Sequence, residues 1–373
     1  MKVVIFSNSL WNIYNFRKNL IKFLINKGIT VYAIGSNDAA HIKLKKIKCK
    51  VILVNNLDRN TNIFYFLILF FKIFFILRKI KPNILLSFTI KPNLISGLIC
   101  RFLKIPCIVM ITGMGYVFTI KSILFYPIKF IYRICFRKVN YIFFQNKDDF
   151  IFFKNEKILN KKYRILPGSG VDLKRFYFSK VKKQKKINFL MISRNLKEKG
   201  IFELVESIKI ISKKYLIYKN INFTHLGFLK GSKKYFISEN FFKLWKKIKL
   251  MNYIKKQDDV RKYIKKSHCL ILPTYREGLP RSILEGFSMG RPAIVSKTIG
   301  TKNLIKSGKN GYYCKVKDPK SLSKKIIKFF YLSYEDKLRM SYFSRLYAMQ
   351  FDEKYIITSY WNIIAKFKEK YAR

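Results

Sequence analysis

Acidic residues are scarce in this chain: 20 Asp and Glu stand against 77 Lys and Arg in 373 residues, a formal charge of +57. An excess of that size points to nucleic acid, an anionic membrane surface or anionic substrates as partners, or to a compositional bias running the length of the chain. The lysines fall in nearly every segment rather than in one block, which speaks against a clustered nucleic-acid patch. Cysteine is sparse as well. The six, at positions 49, 100, 107, 135, 269 and 314, form no Cys-x-x-Cys pair, and several sit in apolar runs. That pattern excludes a zinc site of the usual spacing and suits a reducing cytoplasm. The three histidines, His41, His225 and His268, lie far apart, and His268, directly ahead of an apolar run, reads as structural. There is no Asp-x-Asp motif. No secretory leader is expected, because Met1 runs straight into the strand-like Val3-Val4-Ile5-Phe6. The very apolar run from Ile63 to Leu77 is broken by Lys72 and falls short of the ~20 residues of a spanning helix. It reads as a helix that is buried or lies on a membrane.

What is present is enough to build cores: half the residues are apolar and 17% aromatic, which excludes a disordered basic tail. The length suits two domains of about 150 to 200 residues. In the first half, strand-like runs near 3–7, 30–34, 51–54, 84–87, 107–111, 141–144 and 163–166 alternate with helical stretches, the pattern of a doubly wound parallel sheet. In such a sheet ligands bind beyond the carboxyl ends of the strands. The loops that follow strands are therefore the candidates for chemistry. In the second half, strand signals lie at 187–192, 222–226, 269–272 and 292–295, and the tail from about 320 is helical.

Residues 269–292, CLILPTYREGLPRSILEGFSMGRP, carry the most information. An apolar run from Cys269 to Leu272 reads as a buried strand, breaks at Pro273, crosses a turn with Gly278 and Pro280, and resumes in helical period at Ser282. A helix starting just after Gly278 turns its first N–H groups into the loop, where an anionic diphosphate could receive them. Glu277 precedes that helix and Glu285 lies about a turn inside it, so both carboxylates can face a ligand over the helix N-terminus.

With Tyr275-Arg276-Glu277-Gly278-Leu279-Pro280-Arg281, Glu285 and Met289-Gly290-Arg291-Pro292 in place, this stretch resembles the donor site of glycosyltransferase family 4, in the branch that builds bacterial surface polysaccharides. The resemblance implies an α/β fold with two Rossmann-like domains facing each other across a cleft, the GT-B arrangement, and retention of anomeric configuration. It implies donor binding by Gly278, Leu279, Pro280 and Glu285, the last on the ribose hydroxyls, with Glu277 beside the transferred sugar. The loop Ser193 to Gly200, taken alone, is a set of solvated cations after a strand; in the family the matching Arg and Lys grip the donor diphosphate, which here implies Arg194 and Lys199. Fixed cations suit a leaving group that gains charge as the glycosidic bond breaks. Glu277, Arg194 and Lys199 thus form the catalytic set, with no metal and no other cofactor.

Three loops resemble the acceptor side: Ser7 to Asn15, running into a helix from near Phe16 and offering Asn8 and Asn15; Thr89 to Asn93, with Lys91; and Thr112 to Phe118, with Thr112, Gly113 and Gly115. No His stands near Thr89 or Thr112, where many family members have one, and Asn303 stands near a position that is usually acidic. Asp258 and Asp259 could suggest a metal, but Asp259 reads better as the N-cap of a short helix. The segment 120–138 interleaves Lys121, Lys129, Arg133, Arg137 and Lys138 with aromatics, as an ordinary surface helix or as one lying in a membrane interface.

The expected organisation is an acceptor-side domain over 1–167, a linker over 168–186, a nucleotide-sugar domain over 187–350, and a last helix over 351–373 that returns to the first domain. The expected activity moves a hexose or N-acetylhexosamine from a nucleotide diphosphate, UDP foremost, to a lipid-linked or saccharide acceptor. Its place is the cytoplasmic face of a membrane, held peripherally on an anionic surface and without nucleic acid. A nucleotide-sugar epimerase of the same fold and a basic nucleic-acid-binding protein are the alternatives.

Overall fold

In a computed structural model, residues 1–55, 57, 63–113, 125–159, 162–228, 237–238, 240–241, 244–245 and 251–372 are described. Their contacts divide the chain into two units, Met1–Ser169 with Lys354–Arg373, and Gly170–Glu353.

The first unit holds β1 (Lys2–Ser9), β2 (Thr30–Ser36), β3 (Lys50–Leu53), β4 (Ile84–Phe88), β5 (Cys107–Ile111), β6 (Tyr141–Phe144) and β7 (Tyr163–Ile165), all paired parallel in the order β3-β2-β1-β4-β5-β6-β7. Parallel strands covered on both faces need continuous apolar runs, and β4 and β5 are buried at every position. One face carries α1 (Leu10–Asn26), α2 (Ala40–Lys46) and α12 (Glu353–Ala372); the other carries α3 (Ile63–Ile80), α4 (Ile90–Phe102), α5 (Phe125–Phe136) and α6 (Lys147–Asn155). The last helix is fixed by Tyr360, whose ring lies 6.0 Å from that of Phe88 and 4.9 Å from that of Phe143.

Helix α1 begins earlier than the sequence led us to expect. Ser9 is its N-cap, accepting from the Asn12 N–H at 3.2 Å, so Asn15 stands in the second turn of a helix and not on a loop. The inner face of α1 includes the buried Arg17, whose guanidinium sits 4.2 Å from the centre of the Phe88 ring.

The second unit pairs β8 (Ile187–Arg194), β9 (Ile221–Phe228), β10 (Met251–Lys255), β11 (Cys269–Leu272), β12 (Ala293–Ser296) and β13 (Gly311–Cys314) in the order β10-β9-β8-β11-β12-β13, again all parallel. Strands β10 and β13 had no clear signal: each is short, sits at a sheet edge and mixes polar with aromatic residues. The helices are α7 (Ile201–Lys214), α8 (Arg261–Lys266), α9 (Arg281–Ser288), α10 (Pro319–Phe330) and α11 (Tyr334–Met349). Residues 170–186 pack on this unit through buried Val171, Phe176 and Val181. The N-cap of α8 is Val260 rather than Asp259; Asp259 accepts from the Arg261 N–H at 3.0 Å and from its guanidinium, which holds the carboxyl down to about 2. Asp259 is thereby committed to an arginine.

All six cysteines are free and buried. No described helix is long and apolar enough to cross a membrane.

Two buried histidines make the second unit acid-sensitive. His268 accepts from the Asn188 N–H at Nδ1 (3.0 Å) and gives its Nε2 proton to the Lys182 carbonyl (3.2 Å); His225 lies 3.3 Å from the Ser193 hydroxyl. Burial lowers each from 6.5 to about 4, so both are neutral in the folded unit. The unfolded chain therefore binds more protons than the native one between those values, and stability falls as pH drops through the window. A loss of roughly 3 kcal/mol per histidine is expected between about pH 7 and about pH 4. Urea midpoints that stay level from about pH 7 to about pH 5 would show that the imidazoles ionise in place.

Candidate active site

In each sheet the strand order reverses once, between β1 and β4 in the first unit and between β8 and β11 in the second. Such switch points open a crevice at the carboxyl ends of the strands.

In the second unit, β8 ends at the exposed Arg194, and the chain makes one turn of 3-10 helix over Lys197–Lys199 before α7. Gly200 links the two with φ +74, and a β-carbon there would lie 1.9 Å from the Pro273 carbonyl oxygen. Only glycine lets this loop lie against the loop after β11. The two are then pinned: the Tyr275 N–H donates to the Glu198 carbonyl at 2.8 Å, the Thr274 hydroxyl to the same carbonyl at 3.1 Å, and the Tyr275 hydroxyl to Glu203 at 2.6 Å. The loop after β12 closes the other side. The Thr298 hydroxyl donates to the Tyr275 carbonyl at 2.7 Å, the Glu277 N–H to the Ile299 carbonyl at 3.2 Å, and Gly300, at φ +83, leaves room for the Glu277 carbonyl, which would be 2.2 Å from a β-carbon.

This stacking brings Lys199 and Glu277, 78 positions apart, to an Nζ–Oε1 distance of 2.7 Å, with the side chains 11% and 16% exposed. An ion pair so shielded is far less weakened by solvent than a surface pair. Gly278, Leu279 and Pro280 lead into α9, whose start has no side-chain cap. Glu285, one turn in, is mostly buried and accepts from Arg281 Nε at 2.9 Å. The Arg281 contact was missed in the sequence; its only trace is the spacing of four that puts both on one helix face. Glu203, held to Tyr275, was missed as well.

The first unit gathers its own set at the β1/β4 crevice. Asn8, on β1, donates its N–H to the Thr89 hydroxyl at 3.4 Å, and its carbonyl accepts from Ser36 at 2.8 Å. Thr89 has φ +74, a conformation that costs a β-branched residue about 1–3 kcal/mol and collects at functional positions. Lys91 follows in the first turn of α4, its Nζ 6.0 Å from the centre of the Tyr65 ring. Thr112 and Gly113 come next after β5, both half-buried, while Gly115, Lys121 and most of the Thr112 to Phe118 loop lie outside the described residues. Asn15 is half-buried in the second turn of α1. The expected loop Thr89 to Asn93 is helical from Ile90, and Asn93, buried in α4, donates its amide to the Met110 carbonyl at 2.8 Å; the buried Ser87 of β4 and Ser96 of α4 were not singled out in the sequence.

Among the described residues, no three His, Cys, Asp or Glu side chains come together as a metal would require. A concavity lined by Lys256, Gln257, Asp258, Asp259 and Lys262 opens beyond β10, two strands from β8, and contains none of the residues just described.

The glutamate pair gives a direct prediction. Replacing Glu285 with Ala should weaken UDP binding by about 1.5–3 kcal/mol, the scale of a hydrogen bond to a charged group. Arg281→Met should lose part of that, since the carboxylate would no longer be held. Calorimetric titration with UDP, giving equal affinities for parent and Glu285→Ala, would remove Glu285 from the nucleotide site.

The chain is similar to known proteins over nearly its whole length. A family model described as glycosyl transferases group 1 matches residues 174–346, and one described as glycosyl transferase 4-like matches residues 2–146. A relative from Campylobacter jejuni, N,N'-diacetylbacillosaminyl-diphospho-undecaprenol alpha-1,3-N-acetylgalactosaminyltransferase, is 26% identical over 96% of this chain and 97% of its own length. One from Escherichia coli, UDP-Gal:alpha-D-GlcNAc-diphosphoundecaprenol alpha-1,3-galactosyltransferase, is 25% identical over 72% of each. Among solved structures, a glycosyltransferase from Rickettsia africae superposes with a TM-score of 0.77 at 17% identity over 98% of both chains, and HepE of Anabaena, in complex with UDP and glucose, with 0.79 at 12% identity over 98% of this chain and 99% of that one. Neither the epimerase nor the nucleic-acid reading finds support in these relatives. Two parallel-sheet units with these loops and these matches make the chain a glycosyltransferase of GT-B type, belonging to family 4.

Proposed function

We propose that this glycosyltransferase moves a hexose or N-acetylhexosamine from a UDP-linked donor to a lipid-linked saccharide, with retained anomeric configuration and without a metal, in surface polysaccharide assembly. The observation that carries the reading is the shielded Lys199–Glu277 pair, in the loop that follows Arg194, at the β8/β11 switch point. A donor diphosphate in that crevice would meet two cations, the exposed guanidinium of Arg194, suited to bidentate contact, and the ammonium of Lys199, held by Glu277 and acting as a point charge, together with the uncapped start of α9. All three gain interaction energy as charge collects on the leaving diphosphate, which lowers the barrier selectively. Glu277 orients Lys199 and receives hydroxyls of the transferred sugar. Glu285, steadied by Arg281, receives those of the ribose. In the first unit Asn8, Lys91, Thr112 and Gly113 hold the acceptor. The names of the Campylobacter and Escherichia relatives, both acting on undecaprenyl-diphospho saccharides, support the lipid-linked acceptor, and the UDP complex of HepE supports the base. The net charge of +57 supports work at the inner, anionic face of a membrane.

A screen of UDP-, GDP- and dTDP-sugars by thermal shift and by slow hydrolysis tests the donor. Stabilisation by a UDP-hexose or UDP-N-acetylhexosamine above all others is expected, with hydrolysis unchanged by EDTA. Activity lost to EDTA and restored by magnesium or manganese would replace the two cations with a metal. Conversion of the donor to its epimer without acceptor would overturn transfer itself.

A further inference from the structure

Helix α3 is apolar on two sides. Leu69, Ile73, Leu77 and Ile80 face the core of the first unit, as the inner stripe of a surface helix should. The opposite stripe should then be polar. Instead it presents Phe64, Leu67, Ile68, Phe71 and Phe75, the three phenylalanines 71%, 56% and 60% exposed. Positions 64, 67, 68, 71 and 75 fall on one face at helical spacing, so the exposed rings form a continuous strip and not scattered contacts. Along the sequence on either side of the helix the charge has one sign: from residue 59 to residue 147 the chain contains fourteen Lys and Arg and no Asp or Glu. Lys72 stands within the exposed stripe and Arg78 and Lys79 close the helix.

A protein partner for such a face would need a dense acidic surface with an apolar centre. A bilayer containing anionic lipid offers both at once, acyl chains for the rings and headgroup charge for the surrounding cations. We propose that the outward stripe of α3 lays the first unit on an anionic bilayer, with the helix in the plane of the interface. Helix α5 supplies less of the contact: Lys129 pairs with Glu156 and Arg133 donates to the Glu156 carbonyl at 2.8 Å, so two of its cations are held at the end of α6. The first turn of α3 lies beside the candidate acceptor loop, since Lys91 sits over the Tyr65 ring. A diphosphate at headgroup level would be delivered next to Lys91. The inference gains its biological sense from the lipid-linked reading above, but binding is measured here without donor or acceptor.

The full chain is sedimented with vesicles of phosphatidylcholine mixed with phosphatidylglycerol and with vesicles of phosphatidylcholine alone. Partition to the mixed vesicles should exceed that to the neutral ones and fall with salt. A triple variant, Phe64→Ser with Phe71→Ser and Phe75→Ser, should lose at least about tenfold of it, because membrane partition scales with the apolar area inserted. Its UDP affinity and thermal midpoint should be kept, since the stripe points away from the core. A second variant, Phe71→Trp, should show its emission shifted to shorter wavelength on mixed vesicles, a readout that does not depend on losing side chains. Equal partition of parent and triple variant, or no wavelength shift, overturns the proposal. So does a parent dimer that the triple variant turns into monomer with vesicle binding unchanged, which would assign the stripe to a second copy of this chain. Vesicle binding that survives while transfer to lipid-linked acceptors fails would count against the acceptor reading alone.

Discussion

Changing Lys199 to Met should lower turnover by about a thousandfold, the upper range for removing one preorganised group that stabilises developing charge. The loss has two sources that act together. On the proposed assignment the leaving diphosphate loses an ammonium, and Glu277, left without its 2.7 Å partner in a shielded position, becomes a repulsive neighbour for the same phosphate. Glu277→Gln removes that repulsion, so the double variant Lys199→Met/Glu277→Gln should be less impaired than the product of the single losses predicts. The donor KM should change less than kcat, because the charge that Lys199 meets is greatest when the bond is breaking. Steady-state rates for the two single variants and the double variant decide it. A Lys199→Met enzyme within about threefold of the parent would make the pair a structural clasp.

The largest effect on stability is expected from Arg291, which no reading of the active site requires. Its side chain is fully buried with no carboxylate beside it among the described residues, and burial lowers its pKa to about 10, which leaves it charged at neutral pH. Backbone carbonyls compensate the charge. Nε donates to Ile264 at 3.0 Å, one terminal nitrogen to Ser179 at 2.6 Å and Met289 at 2.7 Å, and the other to Lys265 at 3.0 Å and the Ser179 hydroxyl at 3.0 Å. One guanidinium thus ties the segment 170–186 and the end of α8 to the end of α9, the helix that carries Glu285. Arg291→Met would strand several buried carbonyls, and a loss of about 3–5 kcal/mol is expected. Arg291→Lys should recover little of it, since three donors on a flexible stem cannot reproduce a planar fork. At roughly 2–4 °C per kcal/mol for a unit of this size, the midpoint should drop by about 10 °C. A denaturation midpoint within about 1 kcal/mol of the parent would mean that the carbonyls find water instead.

Arg291 also marks the limit of what could be read from residues alone. It stands in a recognisable string, Met289-Gly290-Arg291-Pro292, yet its partners lie up to 112 positions away and have no pattern of their own. The strands were legible because a parallel sheet covered on both sides demands unbroken runs such as Ile84–Phe88 and Cys107–Ile111. β10 and β13 carry no such run, mixing polar with aromatic residues over four or five positions, and were missed for this reason. The buried Val171, Phe176 and Val181 are spaced by five, with no regular period to betray them. At the site, Arg194, Lys199, Glu277 and Glu285 could be named from their loops, while the close packing of those loops depends on Gly200 and Gly300 fitting against other backbone, and a contact between distant glycines leaves no local signature.

The cysteines have a practical consequence. All six are interior, and burial pushes Cys49, Cys135 and Cys314 up to about 12 and Cys100 and Cys269 well above the usual thiol range. Thiols in that state present almost no thiolate to solvent at neutral pH. With every thiol buried, the folded natural chain is expected to react only slowly with maleimide and iodoacetamide. A single cysteine introduced on the surface of each unit would take a spin label or a fluorophore without any native residue being removed first.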